Sequence, residues 1–526
     1  MKKNPNLLWI VAIALGWLFD LLFWKEPGGI NFAIFTLLCL AGGALLMWRD
    51  EKPAARGALW LIPLILFFDA VTFIRAEPMT VFLAAAFTLF LMAVLAMTWL
   101  GGRWFMYSLS DYVSGLLKLM ASMIARPFAF NAEVKREQVE SGATPSKRNF
   151  WPILRGIIIA LPVLAIFAAL LASADAIFSQ QLDALVKAFK LENLPEYIFR
   201  LIYILIGAYF LAGIFLHAAS QSTDGKLITE GKPLVGQLLG FTESAIVLGS
   251  VTVLFAAFVF IQFRYFFGGQ SNIHIDGYTY SEYARRGFGE LVAVAFFSLL
   301  MILGLGAITR RENEAQRGVF SGLSVAIVVL VMVMLVSAYQ RLGLYEVAYG
   351  FSRLRTYTHV ALIWIGLLLG AVVVLEILRR ERVFALAMLI AAVGFSASLP
   401  LLNVDAFIAR QNINLAVRGQ QELDTAYLGG LSDDVVPALA EAFHSSTAPA
   451  SVKEAAGAAL TCLRVRLPDN SNGSWQGFHI SHFEARQMLS SLKTELDQYT
   501  YVDSEWPYKV TSPAGKTYSC SVNNNM

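Results

Sequence analysis

With 57% hydrophobic and 15% charged residues over a length of 526, and a mean hydropathy of +0.59, the chain lies outside the range of soluble globular domains, which carry roughly 25% charge. It belongs in a bilayer. The formal net charge of +3 is small, and the basic residues fall in short clusters between apolar runs, which excludes a nucleic-acid partner.

A spanning helix needs about 20 predominantly apolar residues. In chain order such runs occupy 7–24, 30–48, 57–74, 79–100, 151–172, 197–217, 241–263, 288–308, 319–337, 359–378 and 383–402. They predict an all-α integral membrane protein with about eleven spans. Trp24, Lys25 and Glu26 follow the first run where a small-residue cleavage site would stand, so it reads as a span rather than a signal peptide. With the N-terminus cytoplasmic, the inner segments hold about twice as many Lys and Arg as the outer loops. An odd number of spans then makes the C-terminus extracytoplasmic.

Between the fourth and fifth runs, residues 103–130 place Asp111, Ser114, Lys118 and Ser122 at helical spacing, opposite Leu116, Leu119, Met120 and Met123. A single polar stripe predicts a helix lying in the interface. Residues 131–150 follow as a cytoplasmic loop. The polytopic domain thus covers 1–402.

From 403 to 526 the composition is that of a soluble domain, large enough at ~120 residues to bury a core. Short amphipathic helices are expected to about 498, with Ser432 as an N-cap followed by acids in the first turn. YKVTSPAGKTYSCSV then reads as a hairpin about a Pro-Ala-Gly turn. Cys462 and Cys520 both lie in this tail, and an oxidising compartment permits them to pair, so a disulfide between them is expected. Cys39 lies in an apolar span.

Ionisable residues within or near spans are the functional candidates, because a charge in hydrocarbon costs several kcal/mol. Asp20, Asp69 and Asp175 sit near the outer ends of runs, and no run carries a charge at mid-membrane, which disfavours an ion-coupled transporter. Three segments concentrate charge on the outer face. The first contributes Glu282, Tyr283, Arg285, Arg286 and Glu290; the second Arg341, Tyr345, Glu346, Tyr349, Arg353 and Arg355; the third Asn403, Asp405, Arg410 and Asn412. Glu290 and Arg286 are four apart and can pair along one helix face. The structural reading has snorkelling arginines neutralised by carboxylates, fixing neighbouring helices to each other. The functional one has a cavity that receives an anionic or zwitterionic headgroup or a small ligand, with arginine forks for phosphate or carboxylate. His479-x-x-His482 lacks a Cys or carboxylate at ligand spacing, and neither a metal nor another cofactor is expected.

Five stretches in order, DLLFWKEPGGINFAIF, SADAIF, FVFIQFRYFFGG, YSEYARRGFGELVAVA and NVDAFIARQN followed by LSDDVVPAL, resemble a widespread bacterial family of multi-pass membrane proteins catalogued only as a domain of unknown function. The resemblance runs from the first span to about residue 440. It implies the bacterial plasma membrane and brings no established activity, substrate or cofactor.

The expectation is a non-enzymatic scaffold or envelope sensor that binds a lipid, a small ligand or an envelope protein at the outer-face cluster, with membrane lipids around it. The alternative is a metal-dependent transferase or hydrolase acting on lipid-linked substrates at the outer leaflet, with Asp20, Asp69 or Asp175 as ligands. A transporter ranks third.

Overall fold

The structure, a computed structural model, describes residues 5–140, 160, 163–164, 166–168, 170–175, 177–178, 180–181, 193–223, 238–266, 288–380, 383–467, 474–502, 506 and 508–520. Helices dominate: α1 (Pro5–Phe23), α2 (Ile30–Arg49), α3 (Arg56–Leu59), α4 (Leu61–Ile74), α5 (Pro78–Thr98), α6 (Leu109–Glu140), α7 (Leu194–Ser220), α8 (Phe241–Phe266), α9 (Phe288–Ile308), α10 (Glu314–Tyr349), α11 (Arg353–Ile377) and α12 (Phe384–Leu402). Eleven stretches among the described residues are long and apolar enough to cross a membrane, α3 and α4 counting as one. The chain is a multi-pass helical membrane protein. Of the runs expected from the sequence, 151–172 falls largely outside the described residues.

α6 starts on a capping box, in which the Ser108 amide donates to Asp111 Oδ2 (3.0 Å) and the Asp111 amide returns to Ser108 Oγ (3.2 Å). It qualifies as a span by length and composition. Along α7 it reaches the middle of the helix, where the Tyr209 hydroxyl donates to the Ile124 carbonyl at 2.5 Å and the Tyr209 ring lies 5.3 Å from that of Phe128. Gly115 lies against Met97, near the C-terminal end of α5, whereas Ser122 bonds His217 Nδ1 (2.8 Å) and Gln221 Oε1 (3.0 Å) at the C-terminal end of α7.

The chain forms two compact units. One comprises Met1–Lys25, Phe35–Ala54 and Leu117–Thr223; the other comprises Glu26–Ile34, Ala55–Leu116 and Asp224–Met526. In the first, α1 packs along α7, and Gly16 allows the Ile204 carbonyl so close that a Cβ would stand 2.7 Å from it. In the second, α10 is the hub: Phe320, Ile327, Val328, Val331, Met334 and Leu335 are buried against α8, α9 and α11. At 36 residues it measures about 54 Å, well beyond the ~30 Å hydrocarbon thickness, so one or both ends project past the bilayer.

The tail belongs to this second unit. It continues through α13 (Val404–Val417), α14 (Thr425–Gly429), α15 (Val436–His444), α16 (Ala450–Arg466), α17 (Ile480–Ser491) and α18 (Lys493–Leu496). The chain turns from α12 into α13 at Asn403, whose φ of 53° lies in the left-handed region that Asn tolerates. α16 is the tail's central helix. Its alanines at 455, 456, 458 and 459 leave room for close neighbours, and at Gly457 a Cβ would meet the Tyr499 hydroxyl at 2.3 Å. The expected hairpin forms from β2 (Tyr508–Thr511) and β3 (Thr517–Cys520), and β1 (Thr500–Val502) adds a third antiparallel strand beside β2. β1, Thr-Tyr-Val, consists of strand-forming residues but at three residues is too short to announce itself in sequence.

Cys462 of α16 and Cys520 of β3 are joined by a disulfide across 58 residues, beside buried Tyr499, Val510 and Tyr518. Closing a loop of that length stabilises the fold by about 4 kcal/mol in the chain-entropy account. Reduction should therefore lower the tail's stability by that order, read as a lower denaturant midpoint for tail unfolding in the full-length protein; an unchanged midpoint would contradict it.

Candidate functional site

The turn between α4 and α5 starts the site. Pro78 occupies the first helical turn, and Glu77 before it caps α5, accepting from the amides of Met79 (3.0 Å) and Thr80 (2.7 Å) and from Thr80 Oγ1 (2.6 Å). A carboxylate at a helix N-terminus meets both the free amides and the positive end of the dipole. Glu77 is buried, and the Tyr357 hydroxyl of α11 also donates to it.

Arg353, in the first turn of α11, stands beside this cap, its Nε 3.9 Å from Glu77 Oε1. Its main partner is Asp405 of α13, gripped by a fork: Nε to Oδ1 at 2.8 Å and Nη2 to Oδ2 at 2.5 Å. The Arg353 side chain keeps 28% of its exposure while Asp405 has none. Asp405 Oδ2 also accepts the Ser432 amide at 2.8 Å. One carboxylate thus ties α11, α13 and the loop before α15 together.

Asp434 makes the reciprocal bridge from the tail to the spans. Its Oδ2 accepts from the amides of Ala76 (2.8 Å) and Glu77 (3.1 Å), and from Ser432 Oγ at 3.2 Å. Its Oδ1 receives the Ser481 hydroxyl, which also reaches the Ile74 carbonyl at 2.9 Å, and lies 4.0 Å from Arg75 Nη1. Arg75 Nε donates to the Pro400 carbonyl at 3.0 Å. Its neighbour Asp433 faces the other way. Arg466 donates to it at 2.8 Å while also binding the Leu431 carbonyl at 2.6 Å, and His482 Nδ1 pairs with its second oxygen.

Environment drives these adjacent carboxyls apart. Burial raises Asp434 above the ordinary carboxylate range despite bonds from Ser481 and the Ala76 amide. Burial would raise Asp433 as well, but His482 and Arg466 overcome it and hold the group below that range. His479, its ring tilted against that of His482 at 4.6 Å, is buried, and burial together with the charge of His482 pushes its imidazole down to about 4 against the pull of Asp433.

Of the three charged segments expected to converge, two close on each other. Besides the Arg353–Asp405 fork, Asn412 clasps residue 351 from both sides, accepting from the Phe351 amide (2.7 Å) and donating to its carbonyl (3.0 Å). Gly350 permits this: its φ is +80°, and a Cβ there would meet Asn412 Oδ1 at 2.9 Å. Arg355 donates to the carbonyls of Tyr349 and Gly350 and lies 4.1 Å from the centre of the Tyr345 ring. Glu346 is buried and pairs with His359 Nδ1 at 3.1 Å. Arg341 is half-buried on α10, Asn403 forms the α12–α13 turn, and Arg410 is exposed. Of the first segment, Glu282, Tyr283, Arg285 and Arg286 fall outside the described residues. Glu290 is exposed in the first turn of α9.

Beside the clasp, a cavity of about 210 Å³ is lined by Arg355, Asn412, Gln421, Glu422, Asp424 and Tyr427. The aspartates of the metal-dependent alternative stand apart in role. Asp20 is held by Arg200 (Nε 2.9 Å, Nη2 2.5 Å) and Tyr203 (2.5 Å), Asp69 is buried in α4, and Asp175 accepts the Ile177 amide at 2.8 Å. Among the described residues no three His, Cys, Asp or Glu side chains group as they would around a metal ion.

The family described as Domain of unknown function (DUF4153) matches residues 61–442, and the chain belongs to it. The matched region contains Glu77, Arg353, Asp405, Asp433 and Asp434, and ends within α15. No curated protein and no solved structure matches the chain.

The network predicts an acid-weakened tail. A His whose folded pKa lies below its ordinary 6.5 contributes stability that is complete above 6.5 and lost as pH falls toward about 4. Asp433 acts in the same sense below the carboxylate range, and Asp434 in the opposite one. The thermal midpoint of the tail should therefore drop between pH 6.5 and about 4, and His479→Gln should flatten that slope. An equal slope in the variant would remove His479 from the account.

Proposed function

We propose that this chain is a non-enzymatic scaffold or envelope sensor of a bacterial plasma membrane, with a cytoplasmic N-terminus and an extracytoplasmic tail that is docked on the span ends and recognises a small ligand, a lipid or a partner protein. The observation that carries the reading is the double bridge: Asp405 is bound both by the span residue Arg353 and by the Ser432 amide of the tail, while the tail's Asp434 holds the Ala76–Glu77 turn. Each of these carboxylates is already committed to two or more donors, which suits holding and transmitting better than proton transfer to a substrate. Any event that shifts the tail must strain the ends of α4, α5, α11 and α12.

The orientation is supported by the excess of Lys and Arg in the segments opposite the tail and by the Cys462–Cys520 disulfide, which persists in oxidising compartments. The polar cavity next to Arg355 offers one cation and two carboxylates, Glu422 and Asp424, a pairing that suits a zwitterionic guest.

Breaking one partner of a buried ion pair costs roughly 3 kcal/mol or more, and tenfold in an equilibrium corresponds to about 1.4 kcal/mol. Arg353→Ala should accordingly raise the rate at which protease added outside spheroplasts cleaves the tail by about 100-fold, with the spans still membrane-inserted. Equal cleavage of variant and parent would contradict the docking role. Cleavage only in inside-out vesicles would contradict the orientation.

A further inference from the structure

Among the described tail residues, four aromatic side chains are exposed, and three of them fall on one short stretch of chain: Trp475 at 57%, Phe478 at 39% and Phe483 at 49%, the fourth being Trp506. Soluble domains rarely gather exposed aromatics without a partner for them. The rings of Phe478 and Phe483 lie 5.8 Å apart, and the Phe478 amide donates to the Trp475 carbonyl at 3.1 Å, which keeps the three residues on one short strip.

The depth of this strip is set by its backbone. The Ile30 amide, at the first residue of span α2, donates to the Phe478 carbonyl at 3.0 Å. Gly29 and Gly477 meet so closely that a Cβ on Gly29 would stand 2.8 Å from the Gly477 carbonyl carbon, and Ser474 bonds Glu26. Three residues after Phe478, Ser481 Oγ donates to the carbonyl of Ile74, the last residue of α4. The segment is therefore stitched to the first residue of one span and the last of another. Those termini mark the boundary between hydrocarbon and headgroups, where Trp and other large aromatic rings partition favourably.

We infer that Trp475, Phe478 and Phe483 dip into the headgroup layer of the bilayer, making the tail a membrane-contacting domain whose partner on this face is lipid. The inference does not depend on the sensor reading. It adds a physical input to it, because buried Ser481, which bonds Asp434, and buried His479, whose ring lies 4.6 Å from that of His482, are carried by the same strip. Continuity with the spans favours lipid over a protein partner, since the strip begins where the membrane-crossing surface ends.

The test uses the full-length protein in lipid nanodiscs. Cys39 is buried and the other two cysteines are bonded to each other, so a nitroxide placed by Trp475→Cys or by Phe483→Cys reports one position. Both labels should show greater collision with oxygen, which concentrates in lipid, than with a water-soluble nickel chelate. Dominance of the nickel chelate at both sites would place the strip in water and overturn the inference. Protection from both reagents would mean that protein covers it, which also overturns it. The two sites are exposed and are labelled independently, and retention of the Cys462–Cys520 bond confirms that each variant has folded.

Discussion

Asp405 is a carboxylate without solvent contact, and its ion pair with Arg353 is the constraint on which the tail-bearing end of the molecule depends. Taking such a charge out of water is tolerable only if its hydrogen bonds are supplied by protein. Arg353 supplies two and the Ser432 amide a third, so the ends of α11 and α13 and the loop before α15 must meet in one geometry. The other pieces follow from this requirement. Gly350 and Asn412 position the turn that delivers Arg353, and Asn403 turns the chain so that Asp405 can face it.

Neutralisation extends through the neighbourhood. Four buried acids, Glu77, Asp405, Asp433 and Asp434, are set among Arg75, Arg353, Arg466 and His482. Removing one member leaves another unpaired in low dielectric, so the tail and the spans are coupled more tightly than their apolar contact alone would make them. That coupling is what lets a domain outside the hydrocarbon report on, or constrain, the helices inside it.

The spans were legible because lipid imposes length and apolarity, and those are sequence properties. Arg353 and Asp405 were legible for a related reason: charges at the edge of an apolar run stand out. Glu77, Tyr357 and Asp434 were not singled out. Glu77 before Pro78 is a readable capping signal, yet nothing local says that a tyrosine 280 residues later will bond it. Asp433 and Asp434 had the look of ordinary first-turn acids, because the turn at Ala76–Glu77 and the Ser481 hydroxyl that claim Asp434 are remote in sequence. His479-x-x-His482, weighed as a metal pair, instead buries one ring and gives the other to Asp433.

Asp434 completes the docking that Asp405 and Arg353 begin, locking the α4–α5 turn to the tail. Hydrogen exchange at the amides of Ala76 and Glu77 measures it most directly, since both donate to that carboxylate. Asp434→Ala should accelerate exchange at these two amides by about 100-fold, the equivalent of roughly 3 kcal/mol, while amides in the middle of α5 keep their protection. Unchanged exchange at Ala76 and Glu77 in the variant would contradict the account.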